Sequence, residues 1–399
     1  MFKFFKILHV FLSVIFSCTL CSCDWFTSPN TTTIPQPIWV SSITTGESIG
    51  GLFPPTVLEK SIITLGSQNK TSVLYSFEKL SGKKQWEWKD FSTKGNVIIK
   101  RVHQYRNILV LLDGRKLYAI NTDTGKTVWV SEVSDYTVPW ISGFGQYFYY
   151  GLENAFLIGN SLTGQQENVS FSLAGTLFIP PISYIQPETK DTLLLATGTN
   201  LIKDSLGRDL YKTYIVAYNR NKNSLLYQLM ALEGNSGSDL GFPTAGLSVI
   251  LGTRVYTDIG RSIQCNDILT GKLVWRRKFL GSFYFSSIIA ADNKIFGNSD
   301  DEGIMYALNP DTGDIIWQEQ TSSASGDMLY MNGVIYIVGL GDGKLHALDA
   351  QTGKHIWKFR SPDYESSNTN SSFEDAVTGD GQYVYVRSRL NLYCFKAAK

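Results

Sequence analysis

Histidine and cysteine are scarce in this chain, at four and five residues among 399. Three of the histidines, His103, His346 and His355, lie beyond the N-terminal apolar run, and no two share the spacing of a metal-binding pair. Neither a nucleophile elbow nor an activated Ser or Cys arrangement is visible. Charge is thin as well: Asp, Glu, Lys and Arg make up 18% of residues, against roughly 25% in average soluble proteins. The 36 basic and 35 acidic residues leave a net charge of +1. That excludes a globally basic, nucleic-acid-binding surface. Gly125-Lys126-Thr127 resembles the end of a phosphate-binding loop, but Ile120 stands where that loop needs glycine. The acids Asp300, Asp301 and Glu302 precede Gly303. They read as a solvated hairpin turn, with a calcium-holding loop as the alternative.

What the chain has instead is an internal echo. Residues 117–129, 305–317 and 345–357 share an alternating bulky/small run, then Thr-Gly, then a Trp four residues after the Gly. Alternation of period two is that of a pleated strand. Asp or Asn can bond its own backbone in the turn, and Gly takes the positive φ that closes it. Weaker copies occupy 74–86 and 263–275. Residues 156–168 keep Gly164 but have Asn168 in place of Trp. Residues 215–227 have Asn223 for the Gly and Tyr227 for the Trp. Asn tolerates the left-handed conformation, so the first of these exchanges is physically reasonable. An eighth first strand, 392–395, ends the chain without a following partner.

The third residue of each copy reads Ser76, Ala119, Ile158, Ala217, Cys265, Ala307, Ala347 and Cys394, seven of the eight being small. Two sheets approaching closely there would exclude a large side chain. The turn positions lie 39 to 59 residues apart, mostly within the ~40–45 of a four-stranded propeller blade. The expected fold is all-β: an eight-bladed β-propeller of four-stranded antiparallel blades. The N-terminal strand, bearing Trp39, completes the last blade and removes an exposed edge. The Trp column (Trp39, Trp86, Trp129, Trp275, Trp317, Trp357) reads as structural docking between blades rather than ligand stacking. Cys265 and Cys394 fall in blades 5 and 8 and read as buried small hydrophobes rather than a disulfide.

Lys3 and Lys6 precede an apolar run, residues 7–20, which reads as a secretory signal rather than a membrane span. It ends in Leu20-Cys21-Ser22-Cys23, which looks like a bacterial lipobox with Cys23 as the lipidated residue. The expected plan is a lipoprotein signal peptide at 1–22, a lipidated Cys23 and flexible tether at 23–36, and the propeller at 37–399. The tether is rich in Ser, Thr, Asn and Pro, too polar to pack. Irregular segments are the candidate partner-binding loops. One is an insertion between Thr199 and Lys212, carrying Lys203, Asp204, Arg208 and Asp209. The other is a polar stretch between Pro362 and Ala376, carrying Asp363, Tyr364 and Glu365. Neutral insertion is the alternative for both.

Leu-Tyr-Ala-Leu-Asp-Ala-x-Thr-Gly-Lys-x-x-Trp is the repeat of the pyrroloquinoline-quinone-like propellers, and the chain resembles that superfamily from about Pro37 to its end. A lipidated, single-domain, eight-bladed member is most similar to the BamB family of scaffolds in outer-membrane β-barrel protein assembly. The resemblance implies a non-enzymatic subunit of a complex, facing the periplasm from the bacterial cell envelope. The outer membrane is favoured over the inner, although Asp24 after Cys23 resembles an inner-membrane retention signal. It implies a protein partner, a β-barrel assembly subunit, with no cofactor, no metal and no catalytic residue. Its contact residues find no matching loop motif here. The same superfamily contains quinoprotein dehydrogenases, which commonly carry an adjacent Cys pair and a calcium site. That reading and an extracytoplasmic ligand-binding or sensory propeller are the two alternatives.

Overall fold

The computed structural model describes residues 35–46, 53–93, 95, 97–133, 140–173, 175–235, 248–281, 283, 288–323, 326–339, 341–361, 364 and 372–398. Residues 35–399 form one compact unit. The signal, Cys23 and most of the tether lie outside the described residues, as do Asp363 and Glu365.

Eight antiparallel sheets stand in a ring. Blade 2 shows the pattern: His103–Tyr105 on the inside, then Ile108–Asp113, Lys116–Asn121 and, on the outside, Thr127–Glu132. The inner strand is short, the second is buried throughout and the third buried except at its two ends, whereas the outer strand alternates half-buried with exposed residues. Blades 1 and 4 carry an extra short strand. In blade 1, Thr44–Thr45 runs parallel to Ser67–Gln68. In blade 4 the inner strand is split into Thr176–Phe178 and Ile182–Ile185. The ring closes as the sequence implies. Trp39–Ser42 pairs antiparallel with Asn391–Lys396, with Trp39 opposite Cys394, and so supplies the outer strand of blade 8.

Trp and Gly recur together because each Trp packs on the turn Gly of the next blade. The Trp86 ring of blade 1 lies against Gly125 of blade 2, where a Cβ would stand 2.6 Å from the ring. Its Nε1 donates to Thr122 O at 2.9 Å. Trp39 meets Gly82, Trp129 meets Gly164, Trp275 meets Gly313 and Trp317 meets Gly353 in the same way. Each donates to the matching turn carbonyl at 2.9–3.1 Å. Tyr227 takes the role against Gly271. Trp357 has no such turn to meet, because blade 8 borrows its outer strand from the N-terminus; it packs on Tyr336 of its own blade, 6.0 Å between ring centroids. Five of the six Trp residues in the column therefore dock between blades. Gly125 is needed twice over: its φ is +67°, and no side chain fits beneath the indole. The turn's bonding residue is not the Asp of Asp-Thr-Gly but the one two places earlier. Asn121 Oδ1 accepts from the N–H groups of Asp123 and Thr124, both at 3.0 Å.

The register gives a nearer reason for the small-residue column than close sheet approach. Ala119 stands directly opposite Trp129, Ser76 opposite Trp86, Cys265 opposite Trp275, Ala307 opposite Trp317 and Ala347 opposite Trp357. A small central residue lets the outer Trp reach the ring two strands in, as Trp317 reaches Phe296 and Trp275 reaches Tyr256, at 5.8 and 6.0 Å. A β-bulge of one residue precedes the aromatic in blades 1, 2, 4, 5, 6 and 7. Such a bulge re-aims the side chain that follows. Blade 3 has no bulge, so Ile158 faces Glu167 and not Asn168. The one large residue in the column thus belongs to the blade without an outer aromatic.

Gly125→Ala is expected to cost about 2–4 kcal/mol, combining left-handed strain with displacement of the Trp86 ring. Gly207→Ala, at φ +76° with nothing within 4 Å of a Cβ, is expected to cost only about 1 kcal/mol. Denaturant unfolding of the two variants measures the difference.

Candidate functional site

Blade 4 is where the chain departs most from its own pattern. The segment between Thr199 and Lys212, expected as an irregular loop, is instead mostly strand. Thr192–Lys203 and Asp209–Asn219 continue pairing for five residues past Gly198, as far as Lys203 opposite Asp209. Ser224–Asn235 follows on the outside, bulged near Ala231. At about 3.3 Å per residue, a three-stranded ribbon projects roughly 16 Å beyond the point where other blades turn. The β-branched and aromatic residues Thr199, Ile202, Tyr211 and Thr213 suit strands, and Gly207 closes the turn at positive φ.

The four charged candidates gather at this tip and bond one another. Asp204 Oδ1 accepts from the N–H groups of Leu206 and Arg208 at 2.8 and 2.9 Å, and its Oδ2 accepts from Arg208 Nε at 2.9 Å. Lys203 pairs with Asp209. Exposed ion pairs of this kind contribute little to stability, so they fix the shape of the tip rather than hold the ring. Beside these charges the tip also exposes apolar side chains: Leu201, Ile202 and Leu206, the last at 72%. Exposed apolar residues clustered at a rigid projection suit contact with protein.

The second candidate segment is described only at Tyr364. Its N–H donates to Ser361 O at 3.0 Å, and the Arg360 guanidinium lies 4.2 Å from its ring centroid. These contacts fold Tyr364 back on the end of blade 7.

Inner strands of blades 1, 2, 7 and 8 line a cavity of about 440 Å³, formed by residues 54–57, 100–102, 327–329 and 376–379. Arg101 of blade 2 pairs with Asp327, next to blade 7's inner strand, at 2.9 Å. Burial lowers the Lys100 pKa, opposed by Asp327, Asp375 and Asp300; its Nζ lies 4.8 Å from the Trp140 ring centroid. Burial pushes the Asp375 carboxyl up to about 6 against the pull of Arg387 and the Phe53 and Ala376 N–H groups. The ring's cysteines do not form the adjacent pair of a quinoprotein site. Cys265 and Cys394, both buried, stand in separate blades opposite Trp275 and Trp39, so they cannot form an adjacent pair. Among the described residues no cluster of three or more His, Cys, Asp or Glu is set to hold a metal. Glu302, weighed as part of a calcium loop, accepts from Ser299 Oγ, Gly281 N and Tyr306 Oη, at 2.9 to 3.3 Å. It ties the start of the blade 6 hairpin to blade 5.

Histidines that look unrelated in sequence meet in the fold. His346 Nδ1 lies 3.2 Å from His355 Nε2, and His346 Nε2 lies 3.1 Å from Asp342 Oδ2. His355 Nδ1 lies 3.3 Å from Glu319 Oε1 on blade 6. His346 replaces the repeat's Tyr on the third strand of blade 7 and His355 opens its outer strand, so only the bulged register reveals that they touch. Burial, then Lys358 and His346, lowers His355 to about 4 in spite of Asp342.

Eight closed blades, turn glycines under indoles and a repeat built on Trp define a pyrroloquinoline-quinone-like repeat propeller. The family model described as outer membrane protein assembly factor BamB matches residues 37–138 and 212–399, and the chain belongs to this family. The gap between the matched segments, 139–211, holds blade 3 and the inner half of blade 4. BamB from Moraxella catarrhalis superposes with a TM-score of 0.59 at 14% identity, covering 91% of this chain and 98% of that one. The computationally designed Ika8 protein superposes at 0.60 with 12% identity, covering 89% and 99%. These likenesses concern the fold. A quinoprotein alcohol dehydrogenase, PedE of Pseudomonas putida, is 36% identical over 62 residues, 15% of this chain and 10% of that enzyme. The chain thus spans a tenth of that relative.

A folded-state His pKa held near 4, below the usual 6.5, contributes stability that is present above 6.5 and lost as pH falls towards 4. Relative to wild type, His355→Gln is therefore expected to lose about 1–2 kcal/mol less stability between pH 7 and pH 4.5. Urea unfolding at the two pH values checks this.

Proposed function

We propose that this protein is a non-enzymatic, lipid-anchored scaffold that binds a β-barrel assembly subunit in outer-membrane protein assembly. It acts as a monomeric subunit of a complex, without a cofactor. Lipid on Cys23 and the tether at 23–36 hold the propeller, beginning at residue 37, at the periplasmic side of the bacterial outer membrane. The observation that carries this reading is the family match over both halves of the ring. It is supported by ring cysteines that stand apart in separate blades, and by a paired ribbon that carries exposed apolar side chains beside its charges. Rigid scaffolds present binding residues on their projections, and the ribbon carrying Lys203, Asp204, Arg208 and Asp209 is the larger projection among the described residues. Tyr364, with Asp363 and Glu365, is the smaller candidate.

Affinity isolation of the full chain from detergent-solubilised membranes is the test. Co-isolation of a barrel-assembly subunit is expected. Isolation alone, or dye-linked alcohol oxidation after addition of quinone and calcium, contradicts the proposal. Cys23→Ser is expected to move the protein from the membrane to the soluble fraction; unchanged attachment contradicts lipidation at that residue.

A further inference from the structure

Six of the eight seams between blades carry an aromatic ring seated on the next blade's glycine, and a seventh cannot because blade 8 has no turn there. The seam between blades 3 and 4 has the turn but neither partner. Without a bulge, blade 3 brings Glu167 opposite Ile158. Blade 4 has Asn223 at φ +50° where the others have glycine, and its side chain bonds the Tyr218 hydroxyl. Both halves of the lock are gone at the same seam.

The two blades are held by other means. The Arg220 guanidinium lies over the Tyr147 ring, 3.4 Å from its centroid. Deeper in, Phe156 packs on Phe171 and Tyr218, with centroids 5.3 and 6.0 Å apart. Outside these contacts is a cleft of about 660 Å³. Val169, Phe171, Tyr218 and Leu225 give it an apolar wall, while the amides of Asn168, Asn223 and Gln228 and two serines make the larger part of its surface polar. No charged side chain lines it. On its blade 4 wall, Leu225 is 47% exposed. Arg220 O occupies the turn position that receives the indole N–H at the other seams. Among the described residues it receives only a long contact from Asn223 N, at 3.4 Å.

We propose that this cleft is a docking site for an extended, uncharged segment of a protein partner, anchored by one aromatic side chain. The other seams indicate the occupant. At the corresponding place in the other seams the chain seats a ring of its own, with its N–H on a turn carbonyl. Here the Asn223 Cβ stops a ring from lying flat on the turn, and the cleft is wider than one indole needs. A ring entering from outside lies against Tyr218 and Leu225, while the amides of Asn223 and Gln228 meet the backbone on either side. Aromatic anchors in pockets with a polar rim dominate protein–protein contacts. The inference rests on the protein-binding reading above, but its test does not use the assembly machinery, so each can fail without the other.

The probe is a fluorescein-labelled nonapeptide, Gly-Thr-Ser-Thr-Trp-Thr-Ser-Thr-Gly, followed by fluorescence polarisation with the full chain. Saturable binding is expected, weakened at least about tenfold by Leu225→Arg or Gln228→Arg. Both positions are on the outer strand, and unchanged thermal unfolding shows that the ring is intact. Gln318→Arg, the matching position beside Trp317 in blade 6, leaves binding unchanged. A peptide with Ser in place of Trp binds at least about tenfold more weakly. Absence of saturable binding, equal weakening by Gln318→Arg, or equal binding of the Trp-less peptide overturns the proposal.

Discussion

The ring depends on one contact repeated around it: an indole from one blade lying on a glycine of the next. Each Trp contributes a large buried face and one hydrogen bond to a turn carbonyl. That carbonyl is available because the turn's own bonds run from Gly N–H to the residue before it, as Gly125 N donates to Asn121 O at 2.8 Å. The constraint spreads inward. A ring this large needs a small residue opposite it, which sets the Ala/Ser/Cys column, and a bulge to aim it, which sets the register of the outer strand. Tyr, Phe or aliphatic side chains on the second strand then fill the space left by the small residue. Closure follows the same rule, since Trp39 on the N-terminal strand docks on Gly82 of blade 1.

A fold held in this way is uniform where the lock operates and distinctive where it does not. Blade 3 loses its bulge and its aromatic, and blade 4 loses its turn glycine. The strands of blade 4 also grow into a ribbon of paired, self-satisfied charges with exposed apolar side chains beside them. These departures fall next to one another, in and around the stretch that separates the two family-matched segments. The axis of the ring is different in kind. Its charges pair across blades, as Arg101 does with Asp327, so they tie inner strands together. Binding is therefore expected on the flank of blades 3 and 4 rather than in the channel.

Much of this was legible in the sequence, because turn glycines and Trp positions are spaced by the blade itself. The count of eight, the closure by Trp39 and the docking role of the Trp column all follow from that spacing. What depended on pairing was not legible. Asn168 occupies the Trp place by counting, yet Glu167 occupies it in space, because a missing bulge shifts the face by one residue. His346 and His355 share no recognisable motif and meet only across a bulged strand pair. The charged stretch from Lys203 to Asp209 resembles a loop in composition. Its strands are specified by β-branched and aromatic residues such as Ile202, Tyr211 and Thr213 and by Thr176–Phe178 pairing at the ribbon's root. Asp363 and Glu365 lie outside the described residues, and the lipid anchor at Cys23 rests on the signal-like N-terminus alone.

The most direct test of the lock is a double-mutant cycle on Trp317 and Gly353, read by equilibrium unfolding. A Cβ at Gly353 would stand 2.6 Å from the Trp317 ring, and φ there is +75°. Gly353→Ala should cost about 2–4 kcal/mol in the wild-type background, from strain and ring displacement together. In the Trp317→Ala background only the strain of about 1 kcal/mol should remain, giving a coupling of at least about 1 kcal/mol. Additive costs, with no coupling between the two positions, would contradict the account.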